Sequence, residues 1–98
     1  MGASLEFEWD PTKAEANLKK HGVGFGEALT VFADSLARIF SDPDHSEQEQ
    51  REIIVGFSTK SRLLVVGFTD RGGTIRIISA RRATAMERRR HEENTKNR

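Results

Sequence analysis

Residues 74–90 read TIRIISARRATAMERRR, and the fold turns on where this stretch changes its period. Residues 74–80 alternate and are rich in β-branched side chains, the pattern of a strand. Thr84 followed by Glu87 three positions later fits a capping box, in which the Thr hydroxyl takes one orphan N–H and the Glu carboxylate reaches back to another. A helix is therefore expected from about Ala85. Arg76, Arg81, Arg82, Arg88, Arg89 and Arg90 all fall within this strand, turn and first helical turns. Such density points to phosphate.

Working outward, residues 51–58, 62–69 and 74–80 form three β-rich runs with short links at Thr59-Lys60 and at 70–73. Short links make such strands antiparallel neighbours. Gly72-Gly73 reads as a turn and not a phosphate loop. Upstream, residues 5–9 (LEFEW) alternate apolar and acidic positions as a half-buried strand does. Asp10 and Pro11 then open a helix as N-cap and first helical residue, and Gly22 closes it after His21. Its apolar stripe is thin: Ala14 and Leu18, with Asn17 and His21 on the same side. In a second helix Phe25, Ala28, Leu29 and Phe32 follow helical spacing and are expected in the core. Residues 36–40 form a short strand, and residues 41–50 a polar, acidic turn around Asp42-Pro43-Asp44. The last helix has almost no apolar face beyond Ala85 and Met86. It is expected to dock weakly and to fray over residues 94–98.

The expected fold is α+β: a compact single domain with an antiparallel sheet of three to four strands, two N-terminal helices and a C-terminal helix, the helices covering one face. The domain spans residues 1–98, of which 1–4 (MGAS) are expected to be a vector-derived addition. A chain of 98 residues makes one modest core. The absence of cysteine excludes a disulfide framework and thiolate chemistry. No apolar run approaches a membrane span and no signal-peptide pattern opens the chain, so a soluble, cytoplasmic protein is expected. Charge is divided unevenly. Residues 1–50 carry four Lys/Arg against ten Asp/Glu, a net −6, and residues 51–98 carry twelve against five, a net +7. The second half is the candidate nucleic-acid side, although charge alone favours a solvated surface whose charges interleave on folding.

Three segments, FEWDPTKAEANLKKHGVGF (7–25), EALTVFAD (27–34) and RIISARRATAMER (76–88), closely resemble the BrnT-type toxins of bacterial type II toxin–antitoxin systems, small ribonucleases with a RelE-like fold. The resemblance covers nearly all of residues 5–93. It implies RNA cleavage without a metal ion or other cofactor, growth inhibition, and neutralisation by a cognate BrnA-type antitoxin in a hetero-oligomer. DNA would be contacted only indirectly, through the antitoxin. Two positions depart from the family's habit: His91 stands where a Tyr is frequent, and Gly26 where an acidic residue is common.

RNA cleavage of this kind must activate the ribose 2′-hydroxyl, stabilise charge on the phosphate and protonate the departing 5′-oxygen. Arginine suits the second task, because its planar guanidinium grips two phosphate oxygens and stays charged. The resemblance makes Arg76 and Arg81 the candidates to hold the scissile phosphate. Arg76 lies opposite Ile75 and Ile77 and would be displayed on the open sheet face. Arg81 and Arg82 are expected just past the strand, with at least one reaching that face. His21 or His91 would move protons, since histidine does so near neutral pH. Lys20, Arg62 and Arg82 would bind RNA. Blander readings stand beside these: His21 as a capping residue, His91 as an exposed histidine, Arg62 as a strand-end arginine paired to a carboxylate, and the Arg88–Arg90 trio as solvation fanned about a helix. His45 is expected on the surface, and three scattered histidines without cysteine make no metal motif. Phe7 and Trp9 read as core. The competing function is a non-catalytic interaction protein or a toxin with a protein target. A DNA-binding regulator is weaker, for lack of a helix-turn-helix with a basic recognition helix.

Overall fold

The computed structural model describes residues 5–42 and 50–96. The expected acidic turn over residues 41–50, with His45, lies almost wholly outside the described residues. In chain order the elements are β1 (Glu6–Glu8), α1 (Pro11–His21), α2 (Phe25–Ala28) running into a 3-10 turn (Leu29–Ala33), β2 (Arg38–Ser41), β3 (Arg51–Phe57), β4 (Leu63–Arg71), β5 (Thr74–Arg82) and α3 (Ala85–Lys96). No described helix is long and apolar enough to cross a membrane.

The α+β class holds, with a larger and mixed sheet. Five strands lie in the order β1-β5-β4-β3-β2. The β2–β3–β4–β5 meander is antiparallel as expected. The N-terminal strand instead pairs parallel with β5, Phe7 opposite Ile75 and Glu8 opposite Arg76. Parallel pairing needs a long crossover, and everything from α1 to β4 supplies it.

One face of the sheet carries the main core. Ile54, Leu64, Val66, Phe68, Ile75, Ile77 and Ala80 pack under Val23, Phe25, Ala28 and Val31. The second helix is one α turn followed by 3-10 geometry, and this changes which residues go deep. At three residues per turn Phe25, Ala28 and Val31 align, and all three are buried while Leu29 and Phe32 are half-buried. Phe32 joins Phe7 and Phe68 edge-to-face at 5.2 and 5.0 Å, and Trp9 meets Phe25 at 6.1 Å.

Helix α1 begins as its sequence indicates, Asp10 accepting from the Thr12 N–H at 2.8 Å. It docks through a polar residue rather than an apolar stripe. The Asn17 amide donates to Val23 O and Ala80 O at 2.9 and 2.8 Å and accepts from the Ala80 N–H at 3.1 Å. Leu18 is left 52% exposed.

The expectation that all helices cover one face is overturned by α3. His91 lies against Phe57 at 6.0 Å between rings, and Phe57 belongs to the face opposite Ile54. Arg38 of β2 donates to Asn94 O at 2.5 Å. The helix docks through a buried histidine and a hydrogen bond, which hydrophobic periodicity does not register.

Candidate active site

The site is shaped by a bulge. Across β4 and β5, Gly67 opposes Ser79 but Phe68 opposes Ile77, so β5 carries one extra residue between them. Because side chains alternate, a single extra residue exchanges the faces of everything beyond it. Before the bulge Ile75 and Ile77 face the core; after it Ala80 does. Ser79 and Arg81 are thereby turned to the open face and Arg82 to the helix side. The strand also extends through Arg81 and Arg82, which sequence periodicity placed just past its end.

On the open face a concavity of about 330 Å³ is lined by His21, Asp42, Ile53, Val65, Gly67, Ser79, Ala80 and Arg81. His21 is the last residue of α1, which Gly22 closes in the left-handed conformation (φ 70°), its N–H donating to Leu18 O at 2.9 Å. Beyond Thr74–Arg76 the edge of β5 is not covered by β1, and α1 takes over there through the Asn17 amide on Ala80. A second concavity of about 510 Å³ shares Ile53, Val65 and Arg81 and continues beneath α3 to Glu87, Arg90 and His91. Arg81 stands between the two.

Arg81 is oriented by a fork. Its Nη1 and Nη2 donate to Glu87 Oε1 and Oε2 at 2.8 and 2.9 Å. The capping box read from the sequence is formed: Thr84 N–H donates to Glu87 Oε1 at 2.9 Å and Glu87 N–H to Thr84 Oγ1 at 3.1 Å. The hydrogen bonds from Arg81 hold the Glu87 carboxyl down at about 2, and the same bonds to Glu87 raise the Arg81 pKa. The Nε edge of the guanidinium is left without a partner among the described residues. Such an edge offers a second pair of donors to an anion.

Sequence analysis named seven site residues, and they separate in space. Arg81 and His21 share the first concavity, while His91 reaches Arg81 only through the second. His91 is 5% exposed, and burial pushes its pKa down. Arg76 does face the open side, where it pairs with Glu8 at 2.9 Å, roughly 13 Å from Arg81 when counted as the four steps from Thr69 to Val65 on the partner strand β4 at 3.3 Å each. Lys20 is exposed on the last turn of α1. Arg62 is committed to the buried Glu27: its Nε donates to Oε2 at 2.9 Å and its Nη2 to Oε1 and to Gly22 O. Ser58 Oγ also donates to Glu27 at 2.7 Å. The Glu27 carboxyl is held at about 2, first by the Arg62 hydrogen bond. Arg82 is exposed on the helix side of β5.

Three contributors were not read from the sequence as part of the site. Gly67 keeps the floor low, since a Cβ there would stand 2.7 Å from Ser79 Oγ. Ser79 reaches the cleft only because of the bulge, and Glu87 read as a cap alone.

A profile of the ribonuclease toxin BrnT of type II toxin–antitoxin systems matches residues 9–87. The chain belongs to the BrnT family. The matched span contains His21, Gly67, Ser79, Arg81 and Glu87 and stops short of His91. A crystal structure of the Brucella abortus ribonuclease toxin BrnT at 1.1 Å resolution superposes with a TM-score of 0.64. It is 23% identical, and the match covers 83% of this chain and 99% of that one. At that identity the likeness is one of fold. No curated protein sequence matches. In this BrnT-family chain Arg81 and His21 come together at the bulged end of β5.

Proposed function

We propose that this BrnT-family toxin cleaves RNA without a metal ion, in the open-face concavity where Arg81 and His21 meet. The observation that carries this reading is that shared concavity: a guanidinium with a free edge and an imidazole line one space on the sheet. Arg81 grips the non-bridging oxygens of the scissile phosphate. The ribose 2′-oxygen bonds to phosphorus, His21 takes its proton, and the bond to the 5′-oxygen breaks, that oxygen leaving with a proton delivered through water. The products are a 2′,3′-cyclic phosphate and a 5′-hydroxyl. Stabilising the charge that builds on the phosphate is worth several kcal/mol in a preorganised site, and Glu87 supplies the preorganisation. Lys20 beside His21 and Arg76 further along the face extend the positive field over the RNA.

Neutralisation follows from the same surface. A cognate antitoxin of the BrnA type, acting in the cytoplasm, must cover Arg81, and acidic side chains would meet the arginines there. DNA would be reached only through that partner.

Incubation of purified protein with RNA in excess EDTA tests the reaction. Cleavage with cyclic-phosphate ends is expected. No cleavage, or cleavage restored only by added metal, would remove the metal-free mechanism.

A further inference from the structure

At the end of the sheet where β4 begins and β5 stops, a depression of about 350 Å³ is lined by Ser61, Arg62, Leu63, Arg82, Ala83 and Arg88. It holds three arginines and no carboxylate. One of the three is already neutralised, because Arg62 is bound to Glu27. The other two are not. Arg82 makes no side-chain hydrogen bond or ion pair among the described residues, and the Arg88 guanidinium rests over the Phe57 ring at 5.8 Å. The ring orients Arg88 without answering its charge. Backbone fixes the remaining wall, as the Ala83 N–H donates to Leu63 O at 2.9 Å and carries the ladder past Arg82.

Two unanswered guanidiniums over a concave floor of Leu63 and Ala83 focus positive potential, and the donors are all N–H and O–H groups. The ligand that fits is an oxyanion with several acceptors. Which oxyanion follows from position. Arg81 and Arg82 are consecutive, so alternation along β5 puts them on opposite faces of the same strand end. A nucleic-acid strand bound at Arg81 therefore has a positively charged hold within reach over that end, beside those on the open face.

We propose that Arg82 and Arg88 form a second phosphate site, which takes a backbone phosphate of the RNA strand flanking the bond cut at Arg81. It rests on the reading of the chain as an RNA-cleaving toxin and adds to it the path of the substrate, over the end of the sheet from the open face to the helix side. The site makes the enzyme prefer strands that extend beyond the scissile dinucleotide.

The test compares wild type with the double variant Arg82→Gln/Arg88→Gln, and with Arg82→Gln alone, whose side chain supports no other group. Affinity for a fluorescent single-stranded RNA is followed against salt, and kcat/KM is measured on that RNA and on a dinucleotide. Loss of one phosphate contact should flatten the log–log salt slope by about 0.7. The double variant should lose about tenfold in kcat/KM on the longer RNA, mostly through KM, and nothing on the dinucleotide. An unchanged salt slope, or an equal loss on both substrates, overturns the second site. So does loss of binding to an acidic peptide with RNA kinetics intact, which would assign the arginines to a protein partner. If wild type cuts neither substrate, the cleavage reading fails, while the salt slope still decides whether Arg82 and Arg88 hold phosphate.

Discussion

Arg81 and Glu87 meet as two parallel hydrogen bonds of 2.8 and 2.9 Å across the strand-to-helix turn. The carboxylate that orients Arg81 also caps α3, so the site and the helix that roofs it share one anchor. Glu87→Gln should loosen both. With the carboxyl held at about 2 in the folded chain against an ordinary 4.5, its contribution is complete above pH 4.5 and is lost as pH falls toward 2. At pH 7 the variant is expected to lose about 1 kcal/mol, a figure reduced by solvent screening of this partly exposed pair. Melting temperatures of the two proteins should converge near pH 2.

Removing the guanidinium tests the chemistry itself. Arg81→Ala should lower kcat on RNA by roughly 10²–10³-fold, the cost of losing one preorganised charge-stabilising group, with far-ultraviolet circular dichroism unchanged. Arg81→Lys should recover little, because an ammonium cannot satisfy Glu87 and a phosphate with two forks. Growth arrest on expression should follow the same order.

The cleft floor offers a separate check. Gly67→Ala places a methyl 2.7 Å from the Ser79 hydroxyl, which can rotate away into the concavity. Melting temperature should move by no more than a few degrees, and RNA cleavage should fall because the space beside Arg81 is filled. A variant that melts early would mean that the strands cannot absorb the methyl.

Much of the fold was legible in residues 74–90: strand, capping box and helix. What was not legible traces to single physical events. The bulge at Ile78 and Ser79 decides whether Arg81 or Arg82 faces the cleft, and alternation alone cannot show an extra residue in one strand. The 3-10 turn put Val31, rather than Leu29, beside Phe25 and Ala28. Asn17 and His91, both polar, dock the two longest helices, where a search for apolar stripes found thin faces and expected weak packing. For Arg62, read both as an RNA contact and as a strand-end arginine paired to a carboxylate, the sequence could not name the partner, because Glu27 lies 35 positions away.

That buried pair yields a prediction about stability alone. Glu27 is 9% exposed and ties α2 to Ser58 and Arg62. Glu27→Gln keeps the shape and removes the charge, and should cost about 2 kcal/mol, the worth of charge-assisted bonds in a buried setting. Because the carboxyl is held at about 2, the difference should be full above pH 4.5 and vanish as pH falls toward 2. Denaturant midpoints across that range measure it.

The two histidines are separated by a last experiment. His91 is enclosed by Phe57 and faces Asp34, Arg38 and Glu92, with burial the largest influence on its pKa and the net direction downward. The unfolded chain therefore takes up this proton at higher pH than the folded one. Stability supplied by His91 is complete above its ordinary pKa of about 6.5 and declines as pH falls below it. His91→Phe keeps an aromatic ring on Phe57 and removes the proton, so its melting temperature should change less than that of wild type between pH 7 and pH 5. Cleavage at pH 7 should be retained, whereas His21→Gln should lose roughly 10²-fold or more, the usual worth of a positioned base. The opposite outcome, in which His91→Phe abolishes cleavage on an intact fold and His21→Gln does not, would transfer the proton-carrying role to α3.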